Sequence, residues 1–102
     1  MVSQTMQAML PKIQGYFKGQ PVEKAWLFGS SSRGEERPDS DVDIIVRYEK
    51  GARITLFKIA KIMIDMEHLL GKEVDLVEEG ALLPFAKETA DKDKILIYER
   101  EN

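Results

Sequence analysis

Apolar positions along the chain follow two periods, one helical and one extended. Near the start, Met6, Met9, Leu10, Ile13 and Phe17 recur three and four apart and form a single helical stripe. Pro11 interrupts it, so the helix either kinks there or starts there, because proline suits a first turn and not an interior. Gly19 and Pro21 end the element. Residues 24–28, with Ala-Trp-Leu-Phe inside, read as a short buried strand that stops at Gly29. The next dozen residues are polar and form a loop with room for one helical turn. A second strand covers 42–48, with Ile44, Ile45 and Val46 inside it, and Gly51 breaks it.

The strongest helix covers 56–70, with Thr55 as N-cap and Gly71 as the residue just past its end. Leu56, Ile59, Ala60, Met63, Met66 and Leu70 define its core face. Ile62 and Ile64 widen that face, which predicts burial on more than one side. A third strand is expected over 72–77, a short helix over 83–90 with Pro84 in its first turn, and a last strand over 95–98. This order predicts an α/β (α+β) fold, a small mixed sheet of about four strands flanked by helices.

Bulk composition narrows the function. With 102 residues the chain has the length of one domain, taken as 1–102, with one core and modest surplus stability. The 43% hydrophobic and 32% charged residues are an ordinary globular balance. A net charge of -3 makes a nucleic-acid backbone a poor candidate partner. Nucleotide phosphates remain possible if metal ions bridge the charges. The absence of cysteine excludes disulfides and thiolate zinc sites and fits a cytoplasmic location. The first ten residues lack the basic start and apolar run of a signal peptide. No stretch approaches the roughly 18 apolar residues of a membrane span.

Two carboxylates, Asp41 and Asp43, stand two apart at the start of the second strand, so their side chains leave one face. Carboxylates this close repel unless one is protonated or a cation lies between them, and Mg²⁺ suits such a pair together with substrate phosphates. The same aspartates could instead cap a turn or sit solvated at a strand end. Asp75, in Glu73-Val74-Asp75-Leu76-Val77, is an aspartate among apolar residues in a predicted strand, where aspartate is depleted and costly to bury alone. If that strand neighbours the second, Asp75 can face Asp43 at roughly 5 Å. Three such carboxylates could hold two metals about 3.5–4 Å apart. Otherwise Asp75 is an edge carboxylate paired with a lysine.

Gly29, at the end of a buried strand, lets the backbone come close to a ligand. The serines from Ser30 onward offer donors to an anion, and Arg33 adds a positive charge, although a capped tight turn would use the same residues. Gly29 to Gly34 has the glycine spacing of a P-loop, but Glu35 and Glu36 stand where lysine and serine or threonine are needed. Asp39, Asp41 and Asp43 mimic the start of a calcium loop, but Ile44 and Lys50 stand where glycine and glutamate are needed. His68, the one histidine, lies on the polar side of the long helix and reads as a surface residue. Serine-hydrolase chemistry has no histidine near the serines to draw on.

Together, Gly29-Ser30, Arg33-Gly34-Glu35 and Pro38-Asp39-Ser40-Asp41-Val42-Asp43-Ile44 resemble the signature of the DNA polymerase beta-like nucleotidyltransferase superfamily. They are most similar to the minimal nucleotidyltransferases of the MntA type, over about residues 24–77 and onward toward 98. The resemblance implies a mixed sheet flanked by helices. It implies two Mg²⁺ ions on Asp41 and Asp43, with Asp75 as the third carboxylate acting on the nucleophile. It further implies a nucleoside triphosphate (ATP) held by Gly29 and Ser30, with Arg33 nearby, and transfer of a nucleoside monophosphate to a hydroxyl. In minimal members the partner is a HEPN-domain ribonuclease toxin whose tyrosine is adenylylated by the antitoxin. The alternatives are a binding module that neutralises its partner by covering it, and a subunit modifying a small molecule or nucleic acid. For the former, Leu82-Leu83-Pro84-Phe85 is a candidate contact if those residues are not core.

Overall fold

The computed structural model describes residues 2–35, 37 and 39–101. Helix α1 spans Gln4–Lys18, and its N-cap is Ser3, whose Oγ accepts from the Met6 N–H at 3.1 Å. Pro11 lies inside α1, so a helix starting at the proline is excluded. The Arg100 guanidinium anchors the other end of α1, donating to the carbonyls of Phe17 and Lys18 at 3.1 and 3.3 Å.

Strand β1 covers Val22–Phe28 and begins earlier than expected, because a register shift between Val22 and Lys24 lets Val22 join the core. A single helical turn, α2, follows at Ser30–Arg33. Strand β2 covers Val42–Tyr48 and helix α3 Leu56–Leu70, both as expected. The Thr55 hydroxyl accepts from the Lys58 N–H at 3.1 Å, and Gly71 adopts the left-handed conformation at φ 67°. Strand β3 covers Val74–Glu78, a 3₁₀ turn Glu79–Ala81, helix α4 Pro84–Asp93 and strand β4 Ile95–Glu99. Lys72 and Glu73 fall outside β3. The chain is still leaving the Gly71 cap there, and the strand opens where the Val74 N–H meets Glu67 Oε2 at 3.2 Å.

The four strands form one mixed sheet in the order β3-β2-β1-β4. β1 runs antiparallel to both β2 and β4, while β2 and β3 are parallel and joined through α3. The sheet separates two cores. On one face Ala25, Leu27, Val42, Ile44, Val46 and Val74 pack with Met6, Ile13 and Phe17 of α1 and Ile62, Met66 and Leu70 of α3. On the other, Trp26, Ile45 and Ala90 of α4 form a smaller cluster, with Phe28 and Leu82 against it. That face is the thinner one, and it carries the polar chemistry.

The long helix departs from its expected burial. Ile62 belongs to the core, whereas Leu56 and Phe57 are 84% and 88% exposed, Ile64 53%, and Ala60 is exposed as well. α3 is therefore buried on one side only: it lies on the sheet with Ile62, Met66 and Leu70 inward, and its opposite face meets solvent. The 82–85 segment divides similarly. Leu82 packs near Trp26, while Leu83 and Phe85 are 59% and 73% exposed. No helix among the described residues is long and apolar enough to cross a membrane.

Candidate active site

The chain reverses from β1 into α2 at Gly29, whose backbone sits at φ 69°, ψ −150°, a region open in practice only to glycine. In the β1–β2 ladder Phe28 pairs with Asp43, which brings the next residue, Gly29, alongside that carboxylate. A Cβ at position 29 would lie 2.6 Å from Asp43 Oδ2, so the absent side chain is what lets the turn close onto the aspartate. Within the turn the Ser32 hydroxyl donates to the Gly29 carbonyl at 2.8 Å. Ser30, the first residue of α2, is half-buried. Ser31 is fully buried, and its hydroxyl has no hydrogen-bond partner among the described residues.

The carboxylates gather at the same end of the sheet. The Val42 N–H donates to the Glu73 carbonyl at 2.9 Å, which starts the parallel pairing of β2 with β3 and sets Asp43 in register with Asp75. Asp43 and Asp75 therefore leave the sheet on the thinner face, because the alternate positions Val42, Ile44 and Val74 enter the larger core. Asp41, exposed, stands just before β2. Ahead of it the loop folds on itself: the Ser40 N–H donates to the Arg37 carbonyl at 2.9 Å, and the Arg37 N–H to Ser40 Oγ at 2.8 Å. The Pro38 of the sequence signature lies outside the described residues.

Electrostatics tie these groups together. Burial pushes the Asp43 carboxyl above its ordinary range, and the negative charges of Asp75 and then Asp41 push it further, while Arg33 opposes them. Asp43 thus feels both other aspartates and the arginine. Asp75 itself is exposed, because β3 is an edge strand with an open outer face. The cost of burying it, expected from its apolar neighbours, does not arise. Asp75 is instead singled out by its register with Asp43.

These residues suit a divalent cation by the nature of their donors: hard carboxylate oxygens, with Asp75 and Asp41 close enough to raise the proton affinity of Asp43. As the side chains stand, no three His, Cys, Asp or Glu among the described residues converge into a ready metal-holding group.

One neighbour was not visible in the linear motif. Asp93, the last residue of α4, accepts a hydrogen bond from Arg33 Nη1 at 2.8 Å, and Glu35 takes the Nε of the same guanidinium. Nothing in the spacing of residues 60 positions apart announces that contact. His68 is exposed on α3, as expected.

The polymerase beta nucleotidyltransferase family matches residues 11–102. A protein of Methanocaldococcus jannaschii assigned as a protein adenylyltransferase is 34% identical over 67 residues, 66% of this chain and 70% of that protein. The protein adenylyltransferase MntA of Thermococcus cleftensis is 43% identical over 61 residues, 60% of each chain. A solved structure assigned as a minimal nucleotidyltransferase superposes with a TM-score of 0.77 at 34% identity, covering 93% of this chain and 95% of that one. A structure of a tri-AMPylated HEPN toxin of Shewanella oneidensis in complex with an MNT antitoxin shares the fold, with a TM-score of 0.70 at 18% identity, covering 92% of this chain and 72% of that one. The turn at Gly29 and the carboxylates of β2 and β3 thus lie within the span of the family match, and the chain belongs to the polymerase beta nucleotidyltransferase family: it is a nucleotidyltransferase.

Proposed function

We propose that the chain is a Mg²⁺-dependent protein adenylyltransferase that moves AMP from ATP to a tyrosine hydroxyl of a HEPN-type toxin and so acts as the toxin's antitoxin. The observation that carries the proposal is the meeting, at one end of the sheet, of the Gly29–Arg33 turn with Asp43 and its neighbours Asp41 and Asp75. A phosphate-holding turn and a cluster of carboxylates are the two parts that nucleotidyl transfer requires. Support for the acceptor comes from relatives and fold neighbours: the related MntA is a protein adenylyltransferase, and the Shewanella complex pairs an MNT antitoxin with an AMPylated HEPN toxin.

Gly29 and Ser30 hold the triphosphate, the glycine letting the backbone approach it, and Arg33 offsets part of its charge. Asp41, Asp43 and Asp75 would hold Mg²⁺, which when bound neutralises the crowded carboxylates and screens the phosphate charge. Asp75, in register with Asp43, takes the proton of the attacking tyrosine. The tyrosine oxygen bonds to the α-phosphorus, the α–β phosphoanhydride bond breaks, and pyrophosphate leaves.

The test is to incubate the chain with ATP, Mg²⁺ and a HEPN-domain protein and weigh the partner. One or more AMP additions on tyrosine are expected, lost in Asp41→Asn and Asp43→Asn. An undiminished label in those variants would sink the assignment. Variants that no longer label but still protect cells would show that neutralisation works by binding alone.

A further inference from the structure

α4 reaches the Gly29–Arg33 turn through Asp93. Asp93 Oδ2 accepts from Arg33 Nη1 at 2.8 Å, across 60 residues of sequence. Asp93 is a fixed point, not a free helix end. One turn earlier, Ala90 is buried against the Trp26 and Ile45 cluster, and the following residue, Lys94, places its ammonium 4.9 Å from the Trp26 ring centroid. The guanidinium is planar, with its five donors in a rigid fork, so a carboxylate that fixes one edge sets the direction of the whole plane. Glu35 holds the Nε of the same group from the loop side. Arg33 also lies within electrostatic reach of Asp43, which places its charge beside the acidic end of the site.

A half-exposed ion pair adds little to folding stability, and Arg33 and Asp93 retain 44% and 29% side-chain exposure. The value of the pair lies in where it leaves the guanidinium. We infer that Asp93 is a positioning residue that holds Arg33 in the orientation in which it meets the polyphosphate of the bound nucleotide. A long side chain already oriented on folding loses less freedom when the ligand arrives. The inference rests on the proposal that the Gly29–Arg33 turn holds the triphosphate.

The experiment titrates the full chain, with Mg²⁺ present, with the non-hydrolysable analogue AMP-PNP, and measures the melting temperature of each variant without nucleotide. Arg33→Gln is expected to weaken binding on the order of tenfold, the worth of a charge-assisted hydrogen bond. Asp93→Asn is expected to weaken it roughly threefold to tenfold with melting unchanged, and Asp93→Glu to recover part of the loss. The double variant should bind no more weakly than Arg33→Gln alone, since without the guanidinium there is nothing to position. Glu88→Gln, which removes the same charge from an exposed position of the same helix, should bind like the parent chain.

Unchanged or tighter binding in Asp93→Asn, with Arg33→Gln weakened, overturns the inference and leaves the nucleotide turn standing. Additive losses in the double variant, or a loss in Glu88→Gln equal to that in Asp93→Asn, also overturn it. Unchanged binding in Arg33→Gln overturns the placement of Arg33 at the polyphosphate, and the inference with it.

Discussion

A methyl group at position 29 would meet Asp43 Oδ2 at 2.6 Å, on a backbone at φ 69° that an L side chain rarely adopts. Gly29→Ala therefore carries two costs. The strained backbone costs about 1–3 kcal/mol of stability. Displacing the carboxylate costs activity on the order of 100-fold, because small misplacements of a reacting centre are expensive. Melting and turnover measured on the same preparation should show a folded protein of lowered melting temperature and nearly lost transfer activity; retained activity would separate Asp43 from the chemistry. At this scale the site was largely legible in the sequence. A glycine after a buried strand and two aspartates two apart constrain backbone and charge locally, so their placement at one end of the sheet follows from spacing. Asp75 was legible for a partly mistaken reason: its apolar neighbours suggested burial, yet it is exposed, and what marks it is its register with Asp43. Asp93 was not legible, because a tertiary contact between an exposed arginine and a helix end leaves no local pattern.

Among the elements, the pairing of β2 with the 3₁₀ turn shows how pH should act on the fold. Arg47 donates from Nε and Nη2 to the two Glu79 carboxylate oxygens at 2.8 and 3.0 Å. The hydrogen bond from Arg47 holds the Glu79 carboxyl below its ordinary value of 4.5, against a smaller opposing effect of burial. A carboxyl with a depressed folded-state pKa contributes stability that is present above the ordinary value and lost as pH falls through the folded one. With Arg47 40% and Glu79 26% exposed, solvent screening limits the contribution to about 0.5 kcal/mol. Glu79→Gln should thus melt below the parent at pH 7, with the gap closing as pH falls below 4.5; a gap independent of pH would show that Glu79 contributes through packing alone. The β2 and α3 boundaries were readable because each has its own stop, a glycine or a hydroxyl cap, written beside it. The early start of β1 was not, since it depends on a register shift against β2, and neither was the helix running through Pro11, where packing of Met6, Ile13 and Phe17 outweighs the missing hydrogen bond.

Over the whole molecule, the sheet is covered unequally. α1 and α3 cover the larger core on one face, whereas the other has only α4 and Leu82 over Trp26 and Ile45, on the face that Asp43 shares. The mixed sheet flanked by helices followed from the order of elements. The outer surface of α3 did not, because apolar residues all round a helix read as burial on more than one side when only the sequence is in view. The structure instead sets Leu56, Phe57 and Ile64 in solvent and Ile62, Met66 and Leu70 in the core. Hydrophobic character and burial part company here, and mutation can separate them. Phe57→Ser and Ile64→Ser should each change unfolding free energy by no more than about 0.5 kcal/mol, as substitutions at exposed sites do. Ile62→Ala and Met66→Ala should each cost about 2–5 kcal/mol through lost burial and the cavity left behind. Urea melts of the four variants, read against the parent at equal slope, decide the matter. If Phe57→Ser proved as damaging as Ile62→Ala, α3 would be covered on its outer side by the folded chain itself. The expected tenfold-or-greater spread in folding constants between the two pairs would leave that apolar stripe as surface, contributing nothing to the fold.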